Sequence, residues 1–535
     1  MKARISVEWA LVFCGLPLCF AVANAASQGV VADAEQNRDA AAVRALLAGK
    51  ADPNIPQSDG TTALHWAAHW DDIDTAKLLI RAGADPKFAN RDGATPMFLA
   101  AQNGSAPMIE QLLAAGADPN APVLAHDETA LMMAARTGNV AAVKILLDHK
   151  ADPNIKDRLR GTTAAMWAAE QGHTAILELL AARGADLGAM SASLTPLRRR
   201  GLGFAPLTAA GAAAGGEPAP PKGGLTAIHF AVREGRMDAV QFLAATAHVD
   251  VNQRSIDGST PLLVAVQNGQ YGIASYLIAH GADPNLANDK GWTPLYLAVK
   301  NRNPETTALP APSTDGVLEM IVTLLDRGAN PNIRIKEPTE VHQGMTALWL
   351  KEAGATPLLR AALCGDLKVA RLLLEHKANP SIPTFDNTTP LMAAAGVGWA
   401  DGMLHEYSED TTLELIRLLL QLGADVNAAN DHGITALHGA GYKGAKKAVQ
   451  LLVDRGAKLD ALDKGEDYGF GVSTTRMTPL NWAEGVPIGM SSAIYHTDTV
   501  ELMSKLMRER GLPVVLHSFH GEKGANYNFG QPEAK

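Results

Sequence analysis

A short pattern recurs along the chain: Thr, then Pro or Ala, then an apolar residue. It stands at Thr62-Ala63-Leu64-His65, at Thr95-Pro96-Met97, at Thr129-Ala130-Leu131 and at Thr163-Ala164-Ala165, in steps of 33 or 34 residues. Further copies begin at Thr226, Thr260, Thr293, Thr356, Thr389, Thr435 and Thr478. Each copy continues through Ala-Ala or a close variant, a Leu-rich stretch, and Gly-Ala-Asp-Pro-Asn or a relative of it. A module this small cannot bury a core alone, so it must stack on the next copy.

The residues of one copy dictate its local structure. Thr95 is a helix N-cap, its hydroxyl accepting from the free amides of the first turn. Pro96 follows where a missing amide costs nothing. Leu99, Ala100 and Ala101 give a narrow apolar face, Gly104 ends the helix, and Ile109, Leu112 and Leu113 bury a second one. Gly116 supplies the left-handed closing residue, and Ala117-Asp118-Pro119-Asn120 turns the chain into an extended finger.

A 33-residue period with this content resembles the ankyrin repeat family. The resemblance implies an all-α repeat (solenoid) of about twelve helix–turn–helix units with β-turn fingers. It also implies a chain whose work is to hold another protein. Repeats are expected over residues 30–186 and 225–511. The first unit, with Ala51-Asp52-Pro53-Asn54 closing it, lacks the Thr signature, as a polar terminal cap should. Thr497 to Arg510 closes the last unit, and residues 512–535 read as a loosely held tail.

The N-terminus reads as an export signal over residues 1–25. Lys2 and Arg4 make a positive start, Trp9 to Val22 an apolar stretch, and Ala23-Asn24-Ala25 a cleavage site, with the cut after Ala25. Periplasmic or secreted location is the expectation, with retention of the leader as an anchor the alternative. Cys14 and Cys19 leave with the leader, so Cys364 remains alone and forms no internal disulfide. The net charge of −9 comes with no basic face, which argues against nucleic acid as a partner.

Several segments interrupt the rhythm. Residues 187–224 are rich in Ala, Gly and Pro and read as an enlarged finger or a linker. Others fall near 301–316, 333–355 and 398–411. Lys50, Lys150 and Lys377 stand where Gly closes the second helix elsewhere, so those junctions should be the softer ones.

Catalytic chemistry has no visible residues, and neither a metal nor a cofactor is expected. His65, His229 and His438 hold the fourth motif position, where the family resemblance implies a structural bond to the neighbouring finger. His65 and His69 are four apart on one helix, and His517 and His520 lie near Glu522, but neither pair has further ligands in sequence. Gly489-Met490-Ser491-Ser492-Ala493 lacks the strand that a nucleophile elbow needs. Cys364 has no His partner in its own repeat, and the recurring Asp52, Asp85, Asp118, Asp152 and Asp283 are turn residues.

The resemblance implies that partners touch finger tips and the two residues before the end of the first helix. The protein-binding candidates are His69 and Trp70, Gln102 and Asn103, Arg136, Glu170, Arg233, Gln267, and Tyr442 with Lys443. Leu363, Cys364 and Val397 occupy the same row, and the finger tips add Trp292 and Phe385. Trp70, Trp292, Phe385 and Tyr442 stand out, because binding energy concentrates in exposed aromatic and Arg side chains. A monomeric, exported, non-catalytic scaffold for a protein or peptide partner is therefore expected. The alternatives are an enzyme or metal-binding protein with its chemistry in the inserts, or a self-associating structural protein.

Overall fold

The computed structural model describes residues 29–124, 126–194, 222–303, 315–339, 350–399, 407–465, 476–486 and 494–516. The chain divides into two compact units, residues 1–158 and 159–535. The first holds α1 (Val30–Gln36), α2 (Ala40–Ala48), α3 (Ala63–Trp70), α4 (Ile73–Arg81), α5 (Pro96–Asn103), α6 (Ala106–Ala114), α7 (Ala130–Thr137) and α8 (Val140–Asp148). First helices α1, α3, α5 and α7 pack in series, and second helices α2, α4, α6 and α8 do the same.

The second unit opens with α9 (Ala164–Gln171) and α10 (Thr174–Ala182), then a strand pair β1 (Ser193–Leu194) and β2 (Lys222–Gly223). It continues with α11 (Ala227–Arg233), α12 (Met237–Gln241), α13 (Pro261–Gln267), α14 (Tyr271–Ala279), α15 (Pro294–Arg302) and α16 (Val317–Asp326). The remaining helices are α17 (Pro357–Cys364), α18 (Leu367–Glu375), α19 (Pro390–Ala395), α20 (Glu409–Gln421), α21 (Ala436–Tyr442), α22 (Lys446–Asp454), α23 (Pro479–Ala483) and α24 (Thr497–Glu509). First helices from α9 to α23 again pack in series.

Local chemistry explains these boundaries. Thr95, Thr129, Thr260 and Thr356 adopt extended backbone and their hydroxyls accept the amide three residues on. Gly104, Gly138, Gly172 and Gly365 end first helices in the left-handed region. Core positions are small on one side and branched on the other. Ala100 and Ala101 are buried on α5, and Ile109 and Leu112 on α6, so the paired helices approach closely.

Asparagines tie each finger to the next module. Asn54 Nδ2 donates to Gly83 O at 2.9 Å while its Oδ1 accepts from Asp85 N at 2.7 Å. Asn120, Asn252, Asn285, Asn332 and Asn427 repeat the bridge inside their own units. The recurring Asp residues close turns: Asp52, Asp118 and Asp283 each accept the amide two residues on.

Lys50, Lys150 and Lys377 do adopt the left-handed conformation, at φ 61°, 68° and 68°. One further closing residue was not legible: His248 at φ 51°. It follows a π-helical stretch, Phe242–Thr246, in which Ala247 N bonds Phe242 O. Leu243 to His248 is one residue longer than Leu277 to Gly281, and the wider turn absorbs the extra residue.

Both ends of the Ala/Gly/Pro-rich segment meet. Ser193 pairs with Gly223 and Leu194 with Lys222, and α9 packs directly on α11. The leader, most of the inserts, the Gly489–Ala493 segment and the His517/His520/Glu522 group lie outside the described residues.

Candidate functional site: helix ends and finger tips

The motif histidines come first because their geometry removes them from chemistry. Thr62 N donates to His65 Nδ1 at 3.2 Å, and His65 Nε2 faces Ala94 O at 3.0 Å. A backbone amide can only donate, so Nδ1 is the acceptor and Nε2 carries the proton. His229 and His438 repeat this with Ser259 O and Met477 O, each at 3.2 Å. Burial lowers the pKa of both to about 4, so the rings stay neutral at physiological pH. Each is a crosslink between neighbouring repeats.

In the first unit the helix-end row is open. Trp70 is 37% exposed and stacks on Trp66 with centroids 6.0 Å apart. His69 stands edge-on to Trp70 at 4.5 Å, and Arg38 lies 5.6 Å over the Trp70 ring. Trp66 is anchored from below, its Nε1 donating to Gln57 Oε1 at 2.8 Å. Gln102 and Arg136 are exposed. Asn103 is exposed too, but its amide caps the preceding helix through Ala68 O and His69 O, at 3.0 and 2.9 Å.

In the second unit the row begins with paired charges. Glu170 holds Arg233 at 2.6 Å, while Gln267 is exposed. Trp292 is half-buried, with Nε1 donating to Glu337 O at 2.9 Å and Lys290 4.8 Å over its ring. Phe385 is 55% exposed on its finger, with Arg334 stacked 4.4 Å away.

Further along, the expected row closes. Tyr442 is only 5% exposed and packs edge-on against Trp399 and Trp482, so its expected place as an open aromatic contact is corrected. Lys443 is half-buried, its ammonium 5.8 Å over Trp399. Leu363, Cys364 and Val397 are buried as well and supply no surface patch. The cover comes from residues that border the inserts. Leu350 and Leu363 both lie against Gly398, and Trp399 sits on Tyr442.

Beneath this cover lies a buried charged cluster that sequence reading missed. Asp366, fully buried, accepts from Arg302 Nε at 2.7 Å, Asn303 Nδ2 at 3.3 Å and the Tyr407 hydroxyl at 3.1 Å. Glu352 accepts from Tyr296 OH at 2.7 Å and Thr339 N at 2.8 Å, with Arg360 Nη1 3.6 Å away. Burial and the Asp366 charge push Tyr407 up to about 12, so its proton stays in the bond. Such pairing fixes the segments bordering the inserts onto the helices. The signal was Arg360 itself, a charge at a motif position that Leu99, Met133 and Leu297 fill elsewhere. No group of three or more potential metal ligands occurs among the described residues.

Family models describing ankyrin repeats in three copies match residues 31–123, 121–191 and 228–335. A model of many copies matches 404–453, and one of a single repeat matches 353–385. The chain belongs to the ankyrin repeat family. Its fold is the all-α repeat of that family.

Among similar proteins is the human transient receptor potential cation channel subfamily A member 1, 26% identical over 44% of this chain and 27% of the relative. Another is the probable 26S proteasome regulatory subunit p28 of Saccharomyces cerevisiae, 29% identical over 45% of this chain and 91% of that protein. The mouse B-cell lymphoma 3 protein homolog is 28% identical over 40% of the chain and 47% of its own length. The chain therefore spans about a quarter of the first relative and under half of the third. A cation channel subunit and a probable proteasome regulatory subunit are both similar to this chain, so the likeness does not by itself name an activity for it.

Proposed function

We propose that this chain is an exported, non-catalytic scaffold that captures a protein partner through helix ends and finger tips. Membership of the ankyrin repeat family points to protein–protein interaction. The observation that carries the finer reading is the Trp66–His69–Trp70–Arg38 cluster, an ordered aromatic surface left open at a contact position. Aromatic side chains held in place lose little entropy on binding and supply large contact area. The leader-like N-terminus supports export, and no helix among the described residues is long and apolar enough to cross a membrane.

The test is affinity capture from the host's secreted and periplasmic fraction, with normal and Trp70→Ala/Trp292→Ala chains as bait. A protein retained by the normal chain and lost by the variant, at an unchanged melting temperature, is the expected result. Equal retention by both baits, or hydrolytic activity in the purified chain, would contradict the reading.

A further inference from the structure

At one corner of the first unit, three residues depart from the repeat pattern at a cost to the fold. Glu35 stands on α1 where later copies carry Ala68, Ala101, Ala135 and Ala169. Those alanines are fully buried, and Glu35 is only 1% exposed. Its Oε2 is buried without a hydrogen-bond partner. Burial and the Asp72 charge raise its pKa to about 7, against the opposing pull of Arg38. Arg38 and Asp71 adopt the left-handed conformation, at φ 58° and 57°, where Gly104 and Gly138 end the next two first helices. A buried unpaired carboxylate and side chains at positive φ all lower stability.

These departures meet at the open aromatic stack. Arg38 lies over the Trp70 ring, which stacks on Trp66. Gln57 ties Asp33 to the same stack: its Nε2 donates to Asp33 Oδ1 at 2.7 Å, and its Oε1 accepts from Trp66 Nε1 at 2.8 Å. The corner thus holds Asp33, Glu35, Asp71 and Asp72 against the one cation on the ring, Arg38. Residues that lower stability and cluster at an open surface point to binding, since folding gains nothing from them.

We infer that this corner receives a basic segment of the protein partner, an Arg or Lys side chain taking the Trp70 face that Arg38 covers. The inference rests on the scaffold reading above and names the partner's chemistry. Arg38, 5.6 Å over the ring, already shows that the face accepts a guanidinium. Glu35 adds a buried carboxylate whose Oε2 has no donor, so a further cation nearby is favoured as it would not be beside an Ala. Residues 29–158 carry 17 Asp and Glu against 12 Lys and Arg, a balance that draws a basic segment and repels an acidic one.

A short fluorescein-labelled peptide alternating Arg and Gly tests this by anisotropy against the full chain, with Gln–Gly and Glu–Gly peptides as controls. The Arg peptide alone should bind, more weakly at high salt, and Trp70→Ala should weaken it about tenfold. Glu35→Ala and Arg38→Gly install residues that other copies hold, so both variants should fold, and circular dichroism checks this for all three. Glu35→Ala should slow amide exchange across α1 and α2 yet weaken the peptide severalfold. Arg38→Gly should tighten it, because the resident cation is gone. Faster exchange in Glu35→Ala would make Glu35 a structural residue and overturn the proposal. Equal binding of the Gln peptide, or indifference to Trp70→Ala and Glu35→Ala, overturns it as well. So does a Glu peptide that binds in place of the Arg peptide and is lost with Arg38→Gly, which would make the corner an anion site. A host partner captured through Trp70 and held equally by the Glu35→Ala chain would leave the scaffold standing while this inference falls.

Discussion

At the scale of single residues, the closing lysines and the motif histidines carry opposite lessons about strain. A side chain built on Gly83 or Gly116 would meet nothing within 4 Å, so only the backbone conformation selects glycine there. Lys50, Lys150 and Lys377 accept that conformation at a cost of about 1 kcal/mol each. Lys150→Gly should therefore raise stability by up to about 1 kcal/mol in urea unfolding; no gain, or a loss, would show that the lysine stem contributes packing.

The histidines store stability that acid removes. His229 and His438 have folded pKa values of about 4 against 6.5 for the free side chain. Between those values the unfolded chain binds protons that the buried rings do not, so stability falls as pH drops from 6.5 towards 4. Above 6.5 these two groups contribute no slope. At the equivalent place Asn481 Oδ1 accepts from Thr478 N at 3.0 Å, so Asn can serve the same cap without titrating. A His229→Asn/His438→Asn chain should melt somewhat lower at neutral pH, having lost its bonds to Ser259 O and Met477 O, but show a shallower decline on acidification. Melting temperatures across the range decide it: an unchanged slope would mean that other groups control acid stability.

At the scale of elements, a first helix has different duties depending on what covers it. On α3 the residues before the helix end face outward and include Trp70. On α21 Tyr442, at the motif position that His69 holds on α3, is sandwiched between Trp399 and Trp482. Tyr442→Ala should thus behave as a core mutation, costing about 3 kcal/mol or more and lowering the melting temperature, with partner capture unaffected in the protein that remains folded. Loss of capture without loss of stability would return Tyr442 to the contact surface. Repeat geometry alone could not show this difference, because Leu350 and Trp399 reach the helices from interruptions outside the period. The caps were legible because Thr, Pro and Gly act on their immediate neighbours. The hydrogen-bonded link from Asp33 through Gln57 to Trp66 was not, since it joins residues up to 33 positions apart.

At the scale of the whole molecule, the repeat period made the modules and their order readable, down to the unsigned first unit at α1. The contact row was readable only as positions. Whether a position is open depends on charges such as Asp366 and Glu352 that fasten neighbouring segments over the later helices. The contact positions are thus open at the ends of α3 and α5 and covered at the ends of α17, α19 and α21. Amide hydrogen exchange on the chain with and without its captured partner tests that division most directly. Protection should grow at the ends of α3 and α5, residues 68–72 and 102–105, while the ends of α17, α19 and α21 stay unchanged. New protection concentrated at 362–366, 395–398 and 440–444, with none at Trp70, would contradict it.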